Sequence, residues 1–182
     1  MRLIYHITEM SEISPIMFLV NIQKMKKHLM NDKTIIDMFK EYDVDIEELK
    51  LIPMSFSDLD VSAKCDHGVI YFNKKLINNL EDYYSYAVHE ICHYLQQTTG
   101  KNPTTSSNNG SYLDNKYEQE GFAKQISYIS DNDGDKSAKE YVNDLLDYHE
   151  IKNDSKKDEL EAVLLKDAMF SYARTKDDIL FL

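Results

Sequence analysis

The stretch Ala87-Val88-His89-Glu90-Ile91-Cys92-His93-Tyr94-Leu95 falls within a segment of helical character running from Glu81 to Leu95. It contains an HExxH pattern, with His89 and His93 flanking Glu90. An α-helix turns about 100° per residue, so residues four apart project only about 40° from each other and two imidazoles can meet one tetrahedral ion. Glu90 lies about 100° from His89 on the same wheel, near enough to reach a water on that ion without becoming a ligand. Ala87, Val88, Ile91, Cys92 and Leu95 are apolar or small, as expected of a helix buried behind a metal site.

A third protein ligand then has to come from another segment, leaving a fourth position for water. Thr99 stands where the compact HExxHxxGxxH arrangement needs its last histidine, and no histidine follows His93 until His149. A carboxylate is therefore expected, and the next helix, Asn115 to about Ser130, offers Glu118 and Glu120. On a helical wheel Glu118 sits about 40° from Phe122 and about 20° from Ile129, on the stripe that faces the core, whereas Glu120 points about 160° away. Gly121, one turn after Glu118, lets this helix approach the HExxH helix closely. Glu118 is the first candidate and Glu120 the alternative; whichever is not the ligand reads as a solvated helix carboxylate.

Working outward, Ser14-Pro15 reads as a helix N-cap with proline at the first helical position, and the helix continues to about Met30. A short helix follows through Ile35, Ile36, Met38 and Phe39, with a further turn at Asp45 to Leu49. Leu51 to Phe56 and Val69 to Phe72 are β-branched and aromatic runs bounded by Pro, Asp and Gly, the signature of two or more strands of a small sheet. Thr98 to Ser111 contains no apolar residue and reads as a long surface loop that is able to order over a cleft. Helices at Ser137 to about Tyr148 and Lys157 to about Tyr172 complete the chain, separated by the turn-rich Asp131–Asp135 and Asn153–Ser155. The expected fold class is α+β: one mainly helical domain over residues 1–182, with a small sheet before the HExxH helix and a core at about 50–130.

Composition removes several classes of function. At 182 residues the chain suits one domain with a real core, and its two cysteines, Cys65 and Cys92, are too few for a disulfide scaffold. A reducing cytoplasm is the expected compartment. No signal peptide or bilayer-spanning run is visible. The net charge of −11 repels phosphate backbones and anionic lipid, so neither nucleic acid nor membrane is an expected partner. Lysines supply the basic residues apart from Arg2 and Arg174, a usage typical of AT-rich genomes such as those of phages and low-GC bacteria.

With His89-Glu90-x-x-His93 on one helix, a glutamate followed three positions on by a small residue in the next helix, and a strand just before, the chain resembles the gluzincin class of zinc metallopeptidases. It is most similar to small single-domain members of phages and mobile elements. Two family patterns compete over the glutamate: the E-x-x-small form selects Glu118 with Gly121, and the N-E-G-F-A form selects Glu120, although Gln119 replaces its asparagine. Family members often carry an acidic or amide residue four positions after the ligand, where this chain has Phe122 or Lys124. The resemblance covers about Val69 to Ile129. It implies a Zn²⁺ cofactor, a protein or peptide substrate, and pairing of the substrate backbone with a strand that matches Gly68-Val69-Ile70-Tyr71-Phe72. For a phage-encoded chain it implies work in the host cytoplasm.

The chemistry expected of such a site is hydrolysis by metal-activated water, with Glu90 as general base. Tyr112, Tyr117, Tyr128 and His149 are the candidates for stabilising the oxyanion. Cys92 falls behind the ligand face and reads as a buried small hydrophobe. Cys65 with His67 lacks the second pair that a structural zinc site requires. Asp131-x-Asp133-Gly134-Asp135 has its glycine misplaced for a calcium loop and reads as a solvated turn. His6 and His28 read as surface or satisfied core residues. The competing readings are a non-catalytic zinc-binding interaction or virion-associated protein, and a degenerate peptidase that binds peptide without cutting it.

Overall fold

His67 and Gly68 both adopt positive φ, 50° and 74°, and fold the chain back between two strands. A two-residue turn of this kind matches the right-handed twist of a hairpin. It joins β2 (Ala63–Asp66) to β3 (Val69–Asn73), while β1 (Met54–Ser57) lies parallel to β3 on its other side, giving the order β1-β3-β2. The central strand is thus β3, with both edges paired, so the strand expected to meet a substrate has no free edge. Among the described residues the free edge toward the HExxH helix belongs to β2. Asn73 donates to Ser62 O, so the alternate residues Ala63 and Cys65 turn their backbone groups away from β3.

The computed structural model describes residues 15–101 and 112–177. Its helices are α1 (Pro15–Leu29), α2 (Lys33–Glu41), α3 (Tyr84–Thr99), α4 (Lys116–Asp133), α5 (Asp135–Tyr148) and α6 (Asp154–Asp177). The fold is a mainly helical α+β single domain, as expected. Asp32 caps α2 by accepting from the Ile35 N–H, and Asn115 caps α4 by accepting from the Tyr117 N–H. Gly100, at φ 69°, ends α3 in the left-handed conformation that glycine adopts without penalty. The helix expected from Glu81 begins three residues later, because Leu80–Tyr83 forms a 3₁₀ turn. Asp131–Asp133, expected in a turn, is the last part of α4, and Gly134 alone separates it from α5. Ser14, His6 and residues 102–111 of the expected loop lie outside the described residues; Thr98 and Thr99 belong to α3. No described helix is long and apolar enough to cross a membrane.

Two apolar clusters lie on opposite sides of α4. The first gathers Met25 and Leu29 of α1, Ile35, Met38 and Phe39 of α2, Ile70 and Phe72 of β3, and Ala87, Val88, Ile91, Cys92 and Leu95 of α3. The second joins Phe122, Ile126 and Ile129 of α4 to Val142, Leu145 and Leu146 of α5 and Leu160 and Leu164 of α6. Each large apolar side chain so buried contributes about 1.5–3 kcal/mol. Polar ties fix α4 between them. Buried Lys124 pairs with Glu41 of α2 at 2.5 Å, Asn132 donates to Asp32 at 3.0 Å, and the Ser127 hydroxyl donates to Ala168 O of α6 at 3.1 Å.

Candidate metal centre

Because α3 buries Ala87, Val88, Ile91, Cys92 and Leu95 in the first cluster, the remaining face of the helix, carrying His89 and His93, turns toward α4. Glu118 sits in the first turn of α4, where a carboxylate also complements the positive end of the helix. The two histidine Nε2 atoms lie 2.9 Å apart, and Glu118 Oε2 lies 3.2 Å from His93 Nε2 and 3.4 Å from His89 Nε2. A tetrahedral zinc ion with bonds of about 2.0–2.1 Å spaces its ligand atoms by about 3.3 Å, so these donors fit one ion. Among the described residues, His89, His93 and Glu118 are the histidine, cysteine or carboxylate groups that cluster in this way.

Gly121 forms the wall behind His89. A Cβ at this position would stand 2.9 Å from Cε1 of the His89 ring and 3.0 Å from Nδ1, closer than real side chains come. Phe122 meets the same ring edge to face, with centroids 4.6 Å apart. Both contacts come from α4, so the glycine allows the close helix approach anticipated from its position. His89 Nδ1 is buried and has no hydrogen-bond partner among the described residues, so the polar contacts of this imidazole are those of its Nε2 with His93 and Glu118.

Electrostatics separate the charged groups. Burial alone raises the Glu118 carboxyl, but hydrogen bonds from His89 and His93, the charge of His93 and the Tyr112 hydroxyl hold it well below the usual carboxylate range. Burial opposes charge on His93, yet Glu118 and Gln96 draw that ring's pKa upward; His89, more deeply buried, is pushed down. Glu90 is also buried. Desolvation, reinforced by Glu118, pushes its carboxyl up to about 7, while His93 and the Cys65 backbone N–H, which donates to it, act in the opposite direction. That hydrogen bond ties Glu90 to the free edge of β2.

Glu120 stands outside the cluster, and it is not the solvated carboxylate expected of the residue left over. Its Oε1 accepts from the Tyr42 hydroxyl at 2.8 Å and its Oε2 from Gln96 Nε2 at 2.9 Å. Gln96 Oε1 in turn lies 2.8 Å from His93 Nδ1. Gln96 and Tyr42 are the residues around the site that sequence reasoning missed. The signal for Gln96 was its place one turn after His93, within reach of the ring; nothing in the sequence brings Tyr42 of the α2 C-cap to this point.

The four oxyanion candidates separate by position. Tyr112 directs its hydroxyl toward Glu118, which pushes the phenol's pKa up, and stacks on His149 with ring centroids 5.2 Å apart. Tyr117 lies flat on the His93 ring, centroids 4.3 Å apart; its hydroxyl accepts from Gln97 Nε2 at 3.0 Å and turns its own proton to His93 O at 3.4 Å. Tyr128 lies elsewhere, its hydroxyl 3.0 Å from His28 Nε2, which satisfies that histidine. Cys92 is fully buried against the first cluster, and Cys65 is half-buried with its thiol 3.8 Å from Gln97 Oε1; both are free thiols.

Set against protein-family models, curated proteins and solved structures, the chain matches none of them.

Proposed function

We propose that the chain is a gluzincin-type zinc metallopeptidase that hydrolyses peptide bonds of a protein or peptide substrate in the cytoplasm. His89, His93 and Glu118 hold the ion, and Glu90 is the general base. The observation that carries this reading is the convergence of three buried donors at 2.9–3.4 Å, with Glu90 beside them. Zinc bound there supplies a Lewis acid and lowers the pKa of water toward neutrality.

The remaining chemistry belongs to the chain. Glu90, buried beside the three donors, takes a proton from the attacking water and returns it to the leaving amine. Tyr112, beside Glu118, with His149 stacked on its ring, would supply the donor to the oxyanion. The outward backbone groups of Ala63 and the Cys65 carbonyl, the Cys65 N–H being turned to Glu90, are suited to pair with an extended peptide along β2, which takes over the role expected of the Gly68–Phe72 strand. A second reading, a non-catalytic zinc clamp, draws on the fact that the donors come from two helices, α3 and α4.

Metal content and one substitution separate the two. The purified protein is expected to hold about one equivalent of zinc and to cleave a denatured protein or a mixed peptide library, and Glu90→Gln to lose cleavage while keeping the zinc. A Glu90→Gln protein as active as the parent removes the catalytic claim, and cleavage absent from both proteins with zinc bound favours the clamp.

A further inference from the structure

A histidine offers a cation one ring nitrogen only when its proton sits on the other. For His93 to present Nε2, Nδ1 must carry hydrogen, and the partner 2.8 Å from Nδ1 must be an acceptor. That partner is the side-chain amide of Gln96, which has an accepting end and a donating end. Which end faces the ring is decided on the far side. There Gln96 Nε2 meets Glu120 Oε2 at 2.9 Å and Tyr117 O at 3.3 Å, and neither an ionised carboxylate nor a carbonyl can donate. Both demand the NH₂ group, so the oxygen turns to His93. The Tyr42 hydroxyl donates to the other oxygen of Glu120 at 2.8 Å, fixing the carboxylate in place. Gln96 is 0% exposed, so water does not substitute for any of these partners.

Building on the metal-site reading above, we propose that Gln96 and Glu120, backed by Tyr42, are positioning residues that set the tautomer of His93 and so its affinity for zinc. Among the described residues no equivalent chain reaches His89, whose Nδ1 has no hydrogen-bond partner there. Loss of the relay therefore acts on one imidazole of the pair. Outer partners of this kind alter metal affinity by about 10- to 100-fold in general.

The test uses the full-length chain and three variants. Glu120→Gln keeps shape but can donate, so that only the longer Tyr117 O contact still calls for the Gln96 NH₂; Gln96→Leu removes the acceptor; Gln96→Glu combined with Glu120→Gln sets an obligate acceptor at the ring with a donor behind it. Zinc affinity is measured by competition with a chelator, and the His93 tautomer by ¹⁵N NMR of metal-free proteins that also carry Glu118→Ala, because the Glu118 carboxylate 3.2 Å from Nε2 otherwise draws the proton there. Glu120→Gln and Gln96→Leu should each bind zinc about 10- to 100-fold more weakly and move the His93 proton from Nδ1 to Nε2. The double variant should bind more tightly than either. Affinities of Glu120→Gln and Gln96→Leu both within twofold of the parent, or a His93 tautomer that is the same in all four proteins, overturn the proposal. If the parent binds no zinc, the metal-site reading fails, while the tautomer shift still decides whether the relay operates.

Discussion

Gly121 and the His89 ring are in such close contact that the Cα hydrogen is the largest substituent the site admits, since a Cβ would reach within 2.9 Å of the ring. Gly121→Ala should therefore rotate or displace His89. Overpacking of this kind costs about 1–3 kcal/mol, and the displaced ring should weaken zinc binding at least tenfold. Thermal denaturation and chelator competition measure the two effects. A variant with parental zinc affinity shows that His89 is not held from this side.

Zinc that binds only the folded chain must stabilise it. At a free concentration one hundred times its Kd the gain is about 2.7 kcal/mol, or roughly 5–11 °C in Tm for a protein of this length. His93→Ala should abolish this increment. A thermal shift of equal size in the variant means that the ion sits elsewhere.

Tyr112 directs its hydroxyl toward Glu118 and stacks on His149. If its hydroxyl also meets the oxyanion, Tyr112→Phe should lower kcat by about 10²–10³ while leaving zinc content at one equivalent. A fall in zinc content with kcat per bound ion unchanged assigns the hydroxyl to Glu118 alone.

Burial pushes the Cys65 thiol up to about 12, with help from Glu90 and Asp66. At pH 8 its thiolate fraction, and with it the rate of alkylation, should lie on the order of 10³ below that of an unperturbed cysteine. The rate should rise with pH well above 9, and it should rise in Glu90→Gln, which removes one of the charges opposing the thiolate. Rapid modification of Cys65 at pH 8 contradicts this environment.

Local periodicity made much of the site legible. The spacing of His89 and His93 needs only one turn of helix, and the small side of Gly121 announced a close neighbour before that neighbour was known. The wheel also turned Glu118 rather than Glu120 inward, and Glu118 is the one that meets the two histidines, but solvent was the wrong environment for Glu120. One helix read alone shows a polar back, and only the packed fold brings Tyr42 and Gln96 up to it. Strand β2 was hidden for a related reason. Ala63-Lys64-Cys65-Asp66 has little intrinsic β character, and its conformation comes from the turn at His67-Gly68 and from pairing with β3. Among thirteen tyrosines, composition had no means of choosing Tyr112.

Helix α4 carries Glu118 on a body whose apolar face belongs to the second cluster, whereas both imidazoles ride on the wall of the first. An ion gripped by all three therefore acts as a rivet across a seam. Stripping it should let the two halves breathe against each other, and a small packing defect as remote as Val142 should register as looser grip on the metal. Ion retention is in this sense a gauge of how faithfully residues far along the chain have docked onto those synthesised first.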